Sequence, residues 1–217
     1  EATADAGTQP VIIADAQDNP GAGASSDTTG LLAALVQGKA QGAVLALLDD
    51  AETAKKAHEL GAGAEFSANL GGKSGQDGQY PFEGRFRVEV LRNGEFTFTG
   101  EMFGGINANL GPMTVLRILD TPADIRVVVG SVRCQCLDQA IFRHIGIEPA
   151  EQRIVAVKSS VHFRADFESI ADKILVVEAP GAHPCRLDNI KYHRLRPGVR
   201  LGPGGPLHES LNDHRSD

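Results

Sequence analysis

Tryptophan is absent from this chain and aromatics make up only 5% of it. A core must therefore rest on Val, Ile, Leu and Ala, the stuff of tightly packed strand–helix units. Cysteine is also scarce. Three residues are an odd number and too few for a disulfide framework, which points to a reducing, cytoplasmic location. There is no basic excess: the net charge is -7, so phosphate neutralisation cannot drive binding, and nucleic acid is excluded as a partner. The longest apolar run, Ala43 to Leu48, is strand-sized and far short of a membrane span. The N-terminus has neither the basic region nor the apolar stretch of a signal peptide. No G-x-S-x-G elbow and no H-E-x-x-H helix occurs, so no complete catalytic set of a known type is visible.

What is present is organised. Residues 1–9 read as the end of an upstream linker or helix. Pro10 to Ala14, Ala43 to Leu48 and Ala64 to Ala68 read as strands. Helices fall between them at Thr28 to Gln37, where Leu31, Leu32 and Leu35 have helical spacing, and at Asp50 to Leu60, stopped by Gly61. This βαβαβ pattern demands a mostly parallel sheet. From about Pro81 to Val132 the pattern becomes an antiparallel β excursion. Arg85 to Leu91 and Glu95 to Thr99 flank Asn93-Gly94, a strong hairpin signal. The last third returns to alternation, with helices at Leu137 to His144 and Ala165 to Ala171 and strands at Ile154 to Val157 and Ile174 to Glu178. The fold class is thus α/β, a mixed, mostly parallel sheet flanked by helices, over residues 10–200. Residues 201–217, rich in Pro, Gly and charge, read as a disordered tail.

Two segments concentrate polar groups where strands give way to helices, the edge at which open α/β sheets bind ligands. The first runs from Asp18 through Asn19, Pro20, Gly21 and Gly23 to Asp27. Asn19 precedes proline and is pushed out of the helical region. The glycines permit close approach, and Ser26 or Asp27 can cap the following helix. The stretch partly matches a dinucleotide fingerprint, with Asp49 or Asp50 at the end of the next strand. Ser26, however, replaces the last glycine, and the first glycine lies too far past the strand. The second segment is Lys158-Ser159-Ser160-Val161-His162-Phe163-Arg164. Here Lys158 can pair with an acid or polarise a carbonyl, and His162 can act as base, ligand or hydrogen-bond donor. Arg164, at a helix start that does not favour a cation, calls for a carboxylate partner. Cys134, Cys136, His144, His183 and Cys185 could form a soft metal site, but their spacing is not that of a structural zinc knuckle.

These two segments, together with Leu70-Gly71-Gly72-Lys73, Asp138 with Phe142, Gly146-Ile147, Pro180-Gly181 and Arg194-x-Arg196-Pro197, resemble in order the C-terminal domain of the microcystinase MlrC family. The likeness runs from about Gly7 to about Pro203. Departures are Ala22 and Ser25-Ser26 in the glycine loop, Gln79-Tyr80 in place of a usual His-Gly, and the ending after Pro197.

The resemblance implies the C-terminal domain of a zinc-dependent peptidase or amide hydrolase acting on a small peptide or amide. It implies metal ligands mainly in an N-terminal domain of the same protein and none in this chain. In that frame Lys158, His162 and Asp18 are the expected catalytic residues. Asn19, Gly21, Gly23, Asp27, Ser159, Ser160 and Arg164 are expected to bind substrate. The alternative is a small-molecule binding or homodimerising domain without chemistry of its own.

Overall fold

The computed structural model describes residues 9–75 and 79–209. Residues 1–8, most of the expected upstream element, lie outside them, as do 76–78 of the glycine-rich loop and 210–217 of the tail. The chain forms two units, one reaching His183 and one beginning at Pro184.

In the first unit the elements run β1 (Val11–Asp15), α1 (Gly30–Gln37), β2 (Ala43–Asp49), α2 (Ala51–Leu60), β3 (Glu65–Leu70), β4 (Phe82–Arg92), β5 (Glu95–Thr97), β6 (Asn107–Asn109), β7 (Met113–Ile118), β8 (Ile125–Gly130), α3 (Ala140–Arg143), β9 (Ile154–Val157), α4 (Arg164–Phe167) and β10 (Lys173–Val177). Eight strands make one sheet in the order β10-β1-β9-β2-β8-β7-β4-β3, and β5 pairs with β6 alone. From β10 to β8 the strands run parallel. From β8 to β3 they run antiparallel.

Strands in the parallel half read as continuous apolar runs because both their faces are covered. Every residue from Ala43 to Leu48 is buried, as is every residue of β1 and β9. One face packs against Leu31, Leu32 and Leu35 of α1 and Ala54 and Ala57 of α2. The other packs against Ile141 and Phe142 of α3 and Phe167 of α4. Phe142 and Phe167 meet edge to face with ring centres 5.9 Å apart. Each such fully buried side chain stabilises the fold by roughly 1.5–3 kcal/mol relative to exposure.

Three expectations change. The strand after α2 does not join the parallel set: β3 is the far antiparallel edge, paired with β4 from Glu65–Arg87 to Leu70–Phe82. A βαβαβ pattern fixes element types but not which neighbour a strand chooses. The Asn93-Gly94 turn does not close a hairpin either. The Asn93 Oδ1 accepts the Glu95 N–H, while the Gly94 carbonyl accepts the Leu110 N–H. The turn therefore leads from the large sheet into the β5–β6 ribbon, and β4 takes β7 as its partner. The two late helices are short. α3 covers 140–143, and α4 ends at Phe167 and continues as a 3-10 turn, Glu168–Ile170.

In the second unit a 3-10 turn, Leu187–Asn189, is followed by a bridge between Arg200 and Leu207. Among the described residues no helix is long and apolar enough to cross a membrane.

Candidate functional site

β1 and β9 are adjacent parallel strands, yet the helices that follow them pack on opposite faces, α1 on one and α4 on the other. Their outgoing loops must diverge, which opens a crevice at the strand ends. Both polar segments of the sequence lie there.

Beneath the crevice is a buried ionic centre. Lys158, with no exposed surface, donates from Nζ to Asp18 Oδ2 at 2.7 Å, to the Thr28 carbonyl at 2.8 Å and to Thr28 Oγ1 at 3.1 Å. Asp15 Oδ2 lies further off, at 3.3 Å, and Asp15 Oδ1 is buried with no hydrogen-bond partner among the described residues. Asp18 is saturated. It accepts from the backbone N–H of Ser26 (2.7 Å) and Thr28 (2.9 Å) and from the Thr28 hydroxyl (2.8 Å). Burial would push the Asp18 carboxyl up, but the Lys158 ammonium and the Thr28 donors outweigh it and hold it below its ordinary value. For Asp15 burial wins over Lys158, the charge of Asp18 adds to it, and the carboxyl is raised. Lys158, expected to meet substrate, is thus enclosed. It ties the end of β9 to the loop between β1 and α1.

Above this centre the two segments touch. Asn19 Oδ1 accepts the Gly21 N–H at 2.9 Å and caps a 3-10 turn, Pro20–Ala22, which Gly23 closes in the left-handed region at φ 94°. Asn19 Nδ2 donates to Ser160 Oγ at 2.7 Å. Ser159 is buried and accepts from Gln135 Nε2 at 2.9 Å. The same Gln135 nitrogen is 3.3 Å from His162 Nδ1, and Gln135 also packs on Gly21, where a Cβ would come within 2.2 Å of its Oε1. His162 is exposed. Arg164 finds the carboxylate expected for it only loosely, in Glu168 at 3.9 Å, and its guanidinium lies over the Phe163 ring.

Asp27 does not cap α1. It takes the backbone N–H groups of Lys73 and Ser74, both at 2.7 Å, and the Ser74 hydroxyl at 2.8 Å, which locks the Leu70-Gly71-Gly72-Lys73 loop against the first segment. The first free N–H of α1 goes to Gln79 Oε1 from Thr29. Asp50 caps α2 by accepting the Thr53 N–H and also takes the Gly71 N–H. With Gly21 and Gly23 in a separate turn and Asp50 spent as a cap, the dinucleotide pattern lacks its geometry.

Two clefts flank the crevice, each of about 490 Å³. One is lined by Asp27, Asp49, Lys73, Ser74 and Arg133. Burial raises the half-buried Asp49 carboxyl there, with the Asp27 charge adding to the effect. The other is lined by Met102, Val161, His162 and Arg164.

The cysteines do not form a metal site. Burial pushes the Cys134 thiol up to about 11 and Cys136 well above its usual range. His144 stacks on Phe96, with its Nδ1 on the Ala140 carbonyl oxygen. Among the described residues no group of three or more His, Cys, Asp or Glu side chains is placed to hold a metal ion. The donor set of the described residues does not fit a metal.

Sequence reasoning missed Gln135, which touches both segments but belongs to no motif, and the structural role of Asp138. The Asp138 carboxylate accepts the N–H groups of Thr99, Gly100 and Ala140 and so anchors the loop that carries Met102.

Taken together, this is a mixed α/β domain with a loop-built crevice at its topological switch point. It belongs to the family described as MlrC C-terminus, which it matches over residues 13–194. It is 31% identical to Microcystinase C from Sphingomonas sp over 189 residues, 87% of this chain and 35% of that protein. Its fold is shared with a crystal structure of a "Putative metallopeptidase" from Mesorhizobium sp. BNC1. The TM-score is 0.76 and the identity 22%, over 94% of this chain and 40% of that one. The chain therefore spans well under half the length of both relatives.

Proposed function

We propose that this chain is the C-terminal domain of a microcystinase-type hydrolase and that it lines the cleft in which a small peptide or amide is cleaved. The observation that carries the reading is the junction of the two segments at the switch point, where Asn19 bonds Ser160 and Gln135 bridges Ser159 to His162. In this reading the metal, zinc, is held by an N-terminal domain of the same protein, where it would supply Lewis acidity.

The residues of this chain then bind and orient. Ser160 and the exposed backbone of Gly21 and Gly23 present donors and acceptors to a substrate amide, and Asn19, itself only 3% exposed, positions them. His162 contacts the reacting region, and Arg164 is available to an acidic group. Lys158, Asp18 and Ser159 act from below by fixing the two loops, and Asp27 fixes the third.

Metal content and peptide hydrolysis measured on this chain alone, and on the chain joined to the metal-binding half, test the reading. Metal and hydrolysis are expected only in the joined form. Stoichiometric metal in this chain alone would overturn the division of labour. Metal-independent binding of a small molecule, or dimerisation with no hydrolysis in the joined form, would favour a binding or dimerising domain.

A further inference from the structure

Gln135 is almost fully buried, at 7% exposure, and stands between the two segments. An amide nitrogen carries only protons and donates; it has no lone pair to offer. Gln135 Nε2 reaches Ser159 Oγ at 2.9 Å and His162 Nδ1 at 3.3 Å. With Nε2 on Ser159 and His162, Oε1 faces Gly21, where a Cβ would come within 2.2 Å of it. A donor at Nδ1 requires that Nδ1 be the acceptor. In a neutral imidazole the proton then sits on Nε2.

His162 lines the cleft whose walls include Met102 and Val161, which are 46% and 62% exposed. A peptide or amide bound there places a carbonyl oxygen beside apolar substituents, which is the chemistry these walls fit. We propose that Gln135 is a positioning residue that fixes His162 as the Nε2–H tautomer, making it a hydrogen-bond donor to the carbonyl oxygen of an amide or peptide substrate in this cleft. This rests on the hydrolase reading above for its substrate, but not for its tautomer. His162 in this form stabilises charge on the substrate oxygen as the amide is attacked, and it is not the group that removes a proton from the nucleophile.

The test separates the two levels. Nitrogen-15 NMR of the imidazole in this chain, at about pH 8.5, well above the usual imidazole pKa of about 6.5, reads the tautomer directly and needs no activity. The wild type is expected to carry its proton on Nε2. Gln135→Glu, nearly isosteric, offers an acceptor in place of the donor and should move the proton to Nδ1. Gln135→Met, which offers neither, guards against a folding defect peculiar to the added charge and should reduce the Nε2–H excess. A wild-type proton on Nδ1, or tautomer populations unchanged by Gln135→Glu, would overturn the assignment.

In the joined, hydrolytic form Gln135→Glu should lower kcat by about 10²-fold with little change in KM, the scale for losing one oxyanion donor. A reversed tautomer with unchanged kcat would overturn the donor role and leave the hydrolase reading intact. A joined wild type with no hydrolysis would overturn the hydrolase reading and the substrate assigned here, while the NMR result would still decide the tautomer.

Discussion

In the parallel half of the sheet, Lys158 lies at zero exposure between Asp15 and Asp18. In the antiparallel half, Arg85 and Arg87 reach across from β4 to Glu65 on β3 in open solvent. Both are ion pairs between strands or strand ends, but their energetics differ in kind. A surface pair gains little, because water competes for each charge and the long side chains must be ordered. A buried group has given up its hydration, so whatever replaces it must be nearly complete. Asp18 meets that demand with donors from Ser26, Thr28 and Lys158. Asp15, with one oxygen unpartnered among the described residues, does not. Charge therefore specifies loop geometry in one half of this sheet and decorates an edge in the other.

The sharpest way to break this contrast is Lys158→Ala, which leaves two buried carboxylates facing each other. It should cost about 3–5 kcal/mol of unfolding free energy, read from urea transitions of the chain. A loss below about 1 kcal/mol would put Lys158 in the class of the surface pairs.

The next effect is in pH. The Asp18 carboxyl is lowered from its ordinary 3.8, so its contribution is present above that value and is lost as pH falls through the lowered one. Asp15 is raised, so its contribution is present below 3.8 and is lost as pH rises through the raised one. Asp15→Asn removes only the second dependence. Its stability relative to wild type should rise as pH moves from about 4 to neutrality. Parallel stability curves for the two proteins would show that Asp15 does not bind a proton preferentially in the folded state.

The smallest effect belongs to the edge: Glu65→Gln should leave the urea midpoint where it was, at low and at high salt. A clear, salt-sensitive drop would mean that the β3–β4 ladder does more than cover an edge.

Much of the parallel half could be read from the chain. Ala43 to Leu48 and Ile154 to Val157 are apolar without interruption, and only a strand covered on both faces uses such a run in so short a length. The antiparallel half was less legible. Asn93-Gly94 says that the chain turns; it does not say that the strand after it will pair with β6 and not β4. The same limit applies to β3, whose amphipathic pattern suits an edge as well as a parallel neighbour.

At the site, the sequence marked both segments but not the division within them. Lys158 and His162 are four residues apart, and one is sealed while the other is open. That difference comes from where β9 ends, with Lys158 still directed at the face beneath α1 and His162 already past the bend. Gln135 carried no signal at all. A lone glutamine between two cysteines gains its meaning only from the approach of residues some 24 and 27 positions further along.

The Lys158 ammonium closes on Asp18 across 140 positions of chain. During synthesis the β1–α1 loop emerges long before its counter-ion exists. Until β9 is made and threaded between β1 and β2, Asp15 and Asp18 must stay hydrated, and the strand end between them cannot be sealed. Contacts of such long sequence separation form late, because the closure of the intervening chain must be met first. The crevice is therefore among the last features of the domain to acquire its shape, and an interrupted chain that lacks β9 also leaves β1 cut off from β2 and the rest of the sheet.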